Sequence, residues 1–241
     1  MSNPTTTDYA YVGTELELFS GAKNWKAYFH SHVAPYVRGD VLEVGAGIGG
    51  TTQVLCDGNQ KSWLCLEPDP TLAEQLQANL NNVKCPFEPR TLIGFLDDVP
   101  RDRTFDTITY VDVVEHIEED KPEVEKAAAR LRSGGSLILL CPAINYLYSE
   151  FDRAIGHHRR YNKQSFRKLT PPGTKLVSLF YLDSVGLLLS LANKWILHQS
   201  HPTKKQVQTW DRFVIPMSKW VDRLLCFGLG KTIVGIWQKQ D

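Results

Sequence analysis

Short apolar runs recur along the chain at Val41–Val44, Ser62–Leu66, Phe105–Val111 and Ser136–Cys141, each bounded by glycine, proline or polar residues. Between them, apolar residues fall three and four apart, as in Leu72–Leu80 and Pro122–Leu131. Strands alternating with helices predict βαβ units and a mainly parallel sheet. Two more strands are expected at Lys175–Leu182 and Thr232–Trp237. Ahead of the first strand, Leu16, Phe19, Trp25, Tyr28, Phe29 and Val33 predict a helix over Glu15–Tyr36, closed by Pro35.

The stretch between the last two strands is too long for a bare loop. Val185, Leu188, Leu189, Ala192, Trp195 and Ile196 form one helical stripe, and Trp210, Phe213, Val214, Met217, Val221, Leu224 and Leu225 form another, bent near Pro216. Charges interrupt both, so neither is expected to span a bilayer. Packing of both stripes on the sheet is the first expectation. A second is a lid lined with aromatics, flanked by Lys204, Lys205, Arg212, Lys219 and Arg223, that receives a long apolar or anionic substrate; a peripheral membrane contact is a third.

At 241 residues, one α/β domain with an elaboration accounts for the length. Its expected parts are an N-terminal helical cap (1–38), a cofactor-binding core (39–182), a helical lid insertion (183–230) and a final strand (231–241). Hydrophobic residues at 42% and charged residues at 22% exclude disordered, collagen-like and coiled-coil classes. Five cysteines, Cys56, Cys65, Cys85, Cys141 and Cys226, are odd in number and never form a CxxC pair. That argues against a disulfide scaffold or zinc site, and with the polar start Met1–Thr7 it leads us to expect a cytoplasmic protein. The net charge of zero hides an asymmetry. Residues 1–149 hold 12 basic and 21 acidic residues, a balance of −9, and residues 150–241 hold 15 and 6, a balance of +9. An anionic partner is therefore sought in the basic third.

Chemistry concentrates where the first strand should hand over to a helix, at Glu43-Val-Gly45-Ala-Gly47-Ile-Gly49-Gly50. Glycines there permit positive φ and close approach of a ligand to the strand's carboxyl end. Gly45, Gly47 and Gly50 also satisfy GxGxxG, which alone is a weak dinucleotide signal. The second strand ends in Leu66-Glu67-Pro68-Asp69, placing a carboxylate where ribose hydroxyls would lie. Glu43, two residues before the first glycine, would repel a pyrophosphate and favours S-adenosylmethionine over NAD.

VLEVGAGIGG, LEPD, FDTITYVDVVEHIEED and LRSGGSLILLCPA together resemble the successive motifs of class I S-adenosylmethionine-dependent methyltransferases, over about residues 14–165. The resemblance implies a Rossmann-like α/β fold: a seven-stranded, mainly parallel sheet whose antiparallel last strand inserts beside strand five. It implies S-adenosylmethionine as cofactor, with Glu43, Gly45 and Gly47 along its methionine part and Glu67 on its ribose. Leu92, after the third strand, would flank the adenine and Asp112 would lie beside the methionine amino group. Arg90–Gly94 lacks the acid often found near the adenine amino group. The N-terminal helix, through Trp25 and Tyr28, is expected to close over the cofactor.

On the acceptor side, His116 and His157 are candidate proton acceptors. Asp112, Glu115 and His116 resemble the acid-x-x-Glu-His cluster of metal-dependent members, but no partner ligands are identifiable and no metal is expected. Gly156-His157-His158-Arg159-Arg160-Tyr161 resembles a GHxRRY segment of one subgroup. Tyr148, His157, Arg159 and Arg160 are candidate acceptor-binding residues, the arginines offering planar forks to an anion. The expected activity is methyl transfer to an oxygen or nitrogen of a small-molecule, lipid-linked or peptide acceptor, anionic by preference, with no nucleic-acid partner. An NAD-dependent oxidoreductase and an inactive cofactor-binding partner subunit stay open as alternatives, and oligomeric state is not legible.

Overall fold

A computed structural model of the chain describes residues 9–13, 15–81, 83, 85–197 and 202–241. The polar start Met1–Thr7 lies outside these residues, as does the side chain of Ile196. Seven strands, β1 (Gly39–Val44), β2 (Gln60–Glu67), β3 (Arg90–Ile93), β4 (Phe105–Val111), β5 (Leu131–Pro142), β6 (Thr174–Leu182) and β7 (Thr232–Lys239), form one sheet in the order β3-β2-β1-β4-β5-β7-β6. Pairing is parallel from β3 through β5, and β7 runs antiparallel to both β5 and β6. This is the predicted mixed sheet, with the last strand beside the fifth. Leu92 belongs to β3 and does not follow it.

Side-chain alternation along the strands sends Leu42 and Val44 to a core with Tyr110, Phe166 and Trp237, and Val41 to a second core with Phe29, Trp63 and Ile236. Both faces are apolar because helices cover both.

The expected single N-terminal helix is two, α1 (Glu15–Ser20) and α2 (Lys23–Val33), followed by a 3₁₀ turn at Ala34–Tyr36. The break has a cause outside the segment. Buried Asp211 accepts from the backbone N–H groups of Asn24 (3.2 Å) and Trp25 (2.8 Å), capping α2 from across the fold.

After β1 the glycine turn leads into the short helix α3 (Thr52–Leu55), and β2 leads into α4 (Pro70–Leu80). Asp69 caps α4 by accepting from Thr71 N (2.7 Å) and Leu72 N (3.1 Å), with Pro70 preset for the first turn. Helix α5 (Asp120–Ala129) joins β4 to β5, and α6 (Glu150–Ala154) and α7 (Lys163–Lys168) join β5 to β6.

Between β6 and β7 lie α8 (Ser184–Ala192), a π-helical turn at Asn193–Leu197, α9 (Lys204–Thr209), a second π turn at Trp210–Val214 and α10 (Ile215–Leu224). The second π turn precedes Pro216, which cannot donate to the preceding helical turn. The stripes do not both pack inward. Leu187, Val214 and Ile215 are buried, whereas Leu188, Leu189, Trp195, Phe213, Met217, Leu224 and Leu225 are exposed. No helix among the described residues is long and apolar enough to cross a membrane. Cys56 and Cys85 form a disulfide across a sequence separation of 29, a pairing that the odd and scattered cysteine set does not announce.

Candidate active site

A cavity of about 1520 Å³ opens at the carboxyl ends of the parallel strands. Its volume exceeds the roughly 300–1,000 Å³ of an ordinary ligand site, which leaves room for two molecules side by side.

The glycine turn forms one wall. Gly45, Gly47 and Gly49 have φ of +69°, +54° and +82°, and a Cβ on Gly45 would stand 2.5 Å from Val113. Only glycine fits there. The turn is tied to β2 through Gly45 N and Ala46 N, both donating to Leu66 O (2.8 and 3.1 Å), and through Gly47 N, donating to Glu67 Oε2 (2.7 Å). Glu67 lines the cavity and also accepts from Asp69 N at 3.0 Å. Burial raises its pKa, while the two N–H donors stabilise the charged form and limit the rise.

Glu43 is elsewhere. It shares strand parity with Val41, so its buried carboxylate enters the second core and accepts from Thr52 Oγ1 (2.6 Å) and Trp63 Nε1 (2.9 Å). It does not line the cavity, and its position on the far face of β1 corrects its expected role beside a methionine moiety. Burial pushes its pKa up to about 7 against those two donors.

Two other expected cofactor contacts move in the same way. Leu92 packs against the first core, and the cavity wall after β3 is Gly94, Phe95, Leu96 and Asp97. Asp97 thus supplies an acid that Arg90–Gly94 lacks, already paired with Lys126 at 2.6 Å. Tyr28 is buried and donates its hydroxyl to Asp222 (2.8 Å), away from the cavity, whereas Trp25 lines it together with Leu16 and Phe19.

Asp112 follows β4 with a φ of +54° and opens onto the cavity. The protein around it raises its pKa, with His157 opposing the rise. Three residues of the N-terminal half that the periodicity does not single out also reach the site. Tyr9 meets Phe95 edge-on at 5.4 Å, Tyr11 N donates to Asp69 Oδ2 at 2.7 Å, and the Tyr11 hydroxyl bonds Glu15.

At the other end of the cavity stand His116 and His157, their rings edge to face at 4.5 Å. Burial and then neighbouring His157 pull the His116 pKa down to about 4, so this imidazole is neutral at pH 7. His157 Nδ1 lies 3.0 Å from Asp152 Oδ1, an arrangement that puts the ring proton on Nδ1 and leaves Nε2 as the acceptor. Beneath them Glu115 is fully buried, its carboxylate oxygens without a hydrogen-bond partner among the described residues and Oε1 3.9 Å from His157 Nε2, and burial, then the charge of Asp112, raises its pKa well above normal. Ligand-capable atoms of Glu115, His116 and His157 come within 4.8 Å of one another, so the third member of the cluster is His157 and Asp112 is not part of it.

The arginines of the GHHRRY segment are engaged internally. Arg160 lines the cavity, but its Nε and Nη2 bind Asp152 Oδ1 (2.8 Å) and Oδ2 (2.9 Å). Burial pushes Asp152 up, yet the hydrogen bonds from His157 and Arg160 win and hold it well below the usual range. Arg159 pairs with Asp120 at 2.7 Å and donates to Glu118 O at 2.7 Å, outside the cavity. The Tyr148 hydroxyl donates to His157 O at 2.5 Å. Two acids, Asp120 distant in sequence and Asp152 eight residues before Arg160, therefore engage the forks expected to hold an acceptor. Lysines line the cavity as well, among them Lys26, Lys205 and Lys231, the last with its ammonium 5.1 Å from the Trp210 ring centroid and its pKa lowered by burial.

Comparison with known proteins agrees with this architecture. A family model described as a methyltransferase domain matches residues 42–137. A tRNA U34 carboxymethyltransferase from Syntrophotalea carbinolica is 26% identical over 163 residues, which cover 68% of this chain and 46% of that protein. The chain thus spans about half the length of that curated relative. Among solved structures, an S-adenosylmethionine-dependent methyltransferase from Clostridium acetobutylicum superposes with a TM-score of 0.54 at 13% identity, covering 98% of this chain and 94% of its own. The [4+2]-cyclase SpnF superposes at 0.62 with 13% identity, covering 100% and 98%. At such identities the likeness is one of fold, and a cyclase among the neighbours shows that the fold does not dictate the reaction. The matched domain, the β7 insertion in the sheet and the glycine turn facing Glu67 agree: residues 42–137 match a methyltransferase domain, and the chain has the fold of S-adenosylmethionine-dependent methyltransferases.

Proposed function

We propose that the protein transfers a methyl group from S-adenosylmethionine to an oxygen or nitrogen of an acceptor with an apolar body and an anionic group. The observation that carries this reading is the composition of one cavity. It holds a nucleoside-type wall at Gly45–Gly47 and Glu67, a pair of histidines at its far end, and the Trp210 and Lys231 pair between apolar side chains.

The residues fit the cofactor. Glu67 keeps free lone pairs for ribose hydroxyls, Asp112 faces the space where an ammonium would lie, and the wall Gly94–Asp97 flanks an adenine. When bound, S-adenosylmethionine supplies a methyl group already activated by the sulfonium charge. The protein's task is then to align the acceptor and exclude water. Leu189, Val214 and Trp210 receive the apolar body, and Lys231 the anionic group. Where the acceptor carries a proton, His116 and His157 receive it; Asp152 fixes the ring of His157, and Arg160 keeps Asp152 charged.

We read residues 1–38 as the cap, 39–182 as the core, 183–230 as the lid and 231–241 as the final strand of one catalytic unit. The Gly156–Tyr161 segment supports membership of the subgroup that carries GHxRRY. The test is incubation with methyl-labelled S-adenosylmethionine and fractionated small-molecule, lipid and peptide extracts. Label in an anionic, apolar fraction together with release of S-adenosylhomocysteine is expected. Tight cofactor binding with no transfer to any fraction would instead indicate an inactive partner subunit.

A further inference from the structure

The insertion between β6 and β7 builds one side of the cavity, but it also presents an outer face that the catalytic reading does not use. On the turn and helix Trp210–Leu224, Phe213, Met217, Trp220 and Leu224 fall four, three and four residues apart and are 58%, 56%, 73% and 83% exposed. Such spacing places them on one stripe of the helix. The opposite stripe, Val214, Ile215, Ser218 and Asp222, is buried against the fold. A helix with one apolar side in the core needs no second one in water, and a run of large exposed side chains marks a contact surface.

The charges around this stripe have one sign. Residues 204–225 contain Lys204, Lys205, Arg212, Lys219 and Arg223 as bases and only Asp211 and Asp222 as acids. Both acids are buried and already bound, Asp211 to the start of α2 and Asp222 to Tyr28 and to the backbone N–H groups of Asp183 and Ser184. What faces outward is therefore aromatic, aliphatic and cationic. A second copy of this chain would set cations against cations across a twofold contact. A bilayer with anionic headgroups complements both features at once, since apolar side chains enter the acyl boundary while bases stay among the phosphates.

We infer that the Phe213–Leu224 face docks the protein on the surface of an anionic lipid bilayer, without crossing it. Leu189, Trp210 and Val214 of the same insertion line the cavity, so docking sets the cavity's lid on the membrane.

Sedimentation of the full chain with vesicles tests this independently of any acceptor. The protein should pellet with vesicles containing phosphatidylglycerol in phosphatidylcholine, stay in solution with phosphatidylcholine alone, and release as salt rises. Trp220→Ala with Leu224→Ala should lower vesicle affinity by about tenfold or more while cofactor binding is unchanged, because both side chains stand in water in the free protein. Arg212→Glu with Arg223→Glu should do the same for the anionic vesicles. Absence of binding to phosphatidylglycerol vesicles overturns the inference, as does binding that survives both double variants. A concentration-dependent dimer that Trp220→Ala with Leu224→Ala converts to monomer also overturns it, by assigning the face to a second copy.

Discussion

Asp152 and Arg160 meet through two parallel contacts, Nε to Oδ1 at 2.8 Å and Nη2 to Oδ2 at 2.9 Å, with the carboxylate wholly buried. The same carboxylate touches His157 and accepts from the backbone N–H and hydroxyl of Ser149. Arg160→Lys keeps a charge but loses one arm and leaves Asp152 short of a donor. We expect a stability loss of about 1–3 kcal/mol in urea unfolding and a fall in turnover larger than the change in cofactor affinity. Unaltered stability would mean that the pair is not the clasp of this segment.

Glu67 accepts from the turn at Gly47 and faces the cavity, so Glu67→Ala removes both a ribose acceptor and a tether of the turn. Calorimetry with S-adenosylhomocysteine should show binding weakened by about 1–3 kcal/mol. A Kd equal to that of the parent protein would place the nucleoside elsewhere.

Glu43, by contrast, should be nearly silent in binding and loud in stability. Its pKa in the folded chain is pushed up to about 7 by burial, above the ordinary carboxylate value. A raised value means that the folded state holds its proton more tightly, so its contribution is intact below about pH 4.3 and is lost as pH climbs toward 7. Glu43→Gln removes that loss. Chemical denaturation should find the variant gaining on the parent by up to about 3 kcal/mol between pH 5 and 8, with cofactor affinity within about twofold. A large affinity drop without the pH effect would return Glu43 to the cofactor.

His116 titrates in the opposite sense. Its pKa is pulled down to about 4 from the usual 6.5, so the unfolded chain binds more protons between these values and stability falls as pH drops from about 6.5 to 4. His116→Gln should flatten that part of the acid profile and lower turnover of any acceptor that begins protonated. A steep acid limb retained in the variant would assign the loss to another group.

The Glu115, His116 and His157 cluster separates two chemistries by a simple treatment. A proton-accepting role predicts that turnover is unchanged, within about twofold, after exhaustive chelation, and that Glu115→Gln alters the pH profile more than the cofactor Kd. Loss on chelation with recovery on adding one divalent metal would make the cluster a metal centre.

Much of this arrangement is legible in the residues themselves. The runs Val41–Val44 and Phe105–Val111 and the glycine turn are local signals, because β-branched residues and positive-φ glycines act on their own backbone. Glu67 follows from the same logic, at the tip of the second strand. Glu43 misleads because its distance from the glycines is right while its parity is wrong; alternation with Leu42 and Val44, which face the opposite core, is the clue that the sequence does carry. Arg159 and Arg160 mislead for a different reason. Asp120 is brought to Arg159 by the fold and Asp152 stands eight residues before Arg160, and residue type alone does not separate a waiting fork from an occupied one. Lys231 escapes a motif-based reading although it directly precedes Thr232. An antiparallel strand between parallel ones starts at their carboxyl edge, where the cavity is.

The two ends of the β6–β7 insertion are tied to each other. Lys231 N donates to Asp183 O at 3.1 Å, and the Asp183 carboxylate accepts from Gly186 N, Trp210 Nε1 and Ser218 Oγ. The chain thus leaves the sheet and returns to it at one knot, and the handle between is pinned a second time, to α2 through Asp211 and to Tyr28 through Asp222. Length and composition within such a handle can change without moving a single strand. Descendants of this scaffold could exchange the stretches of the handle between these pins, and with them the range of acceptors, while the wall at Gly45–Gly47 and Glu67 stays as it is.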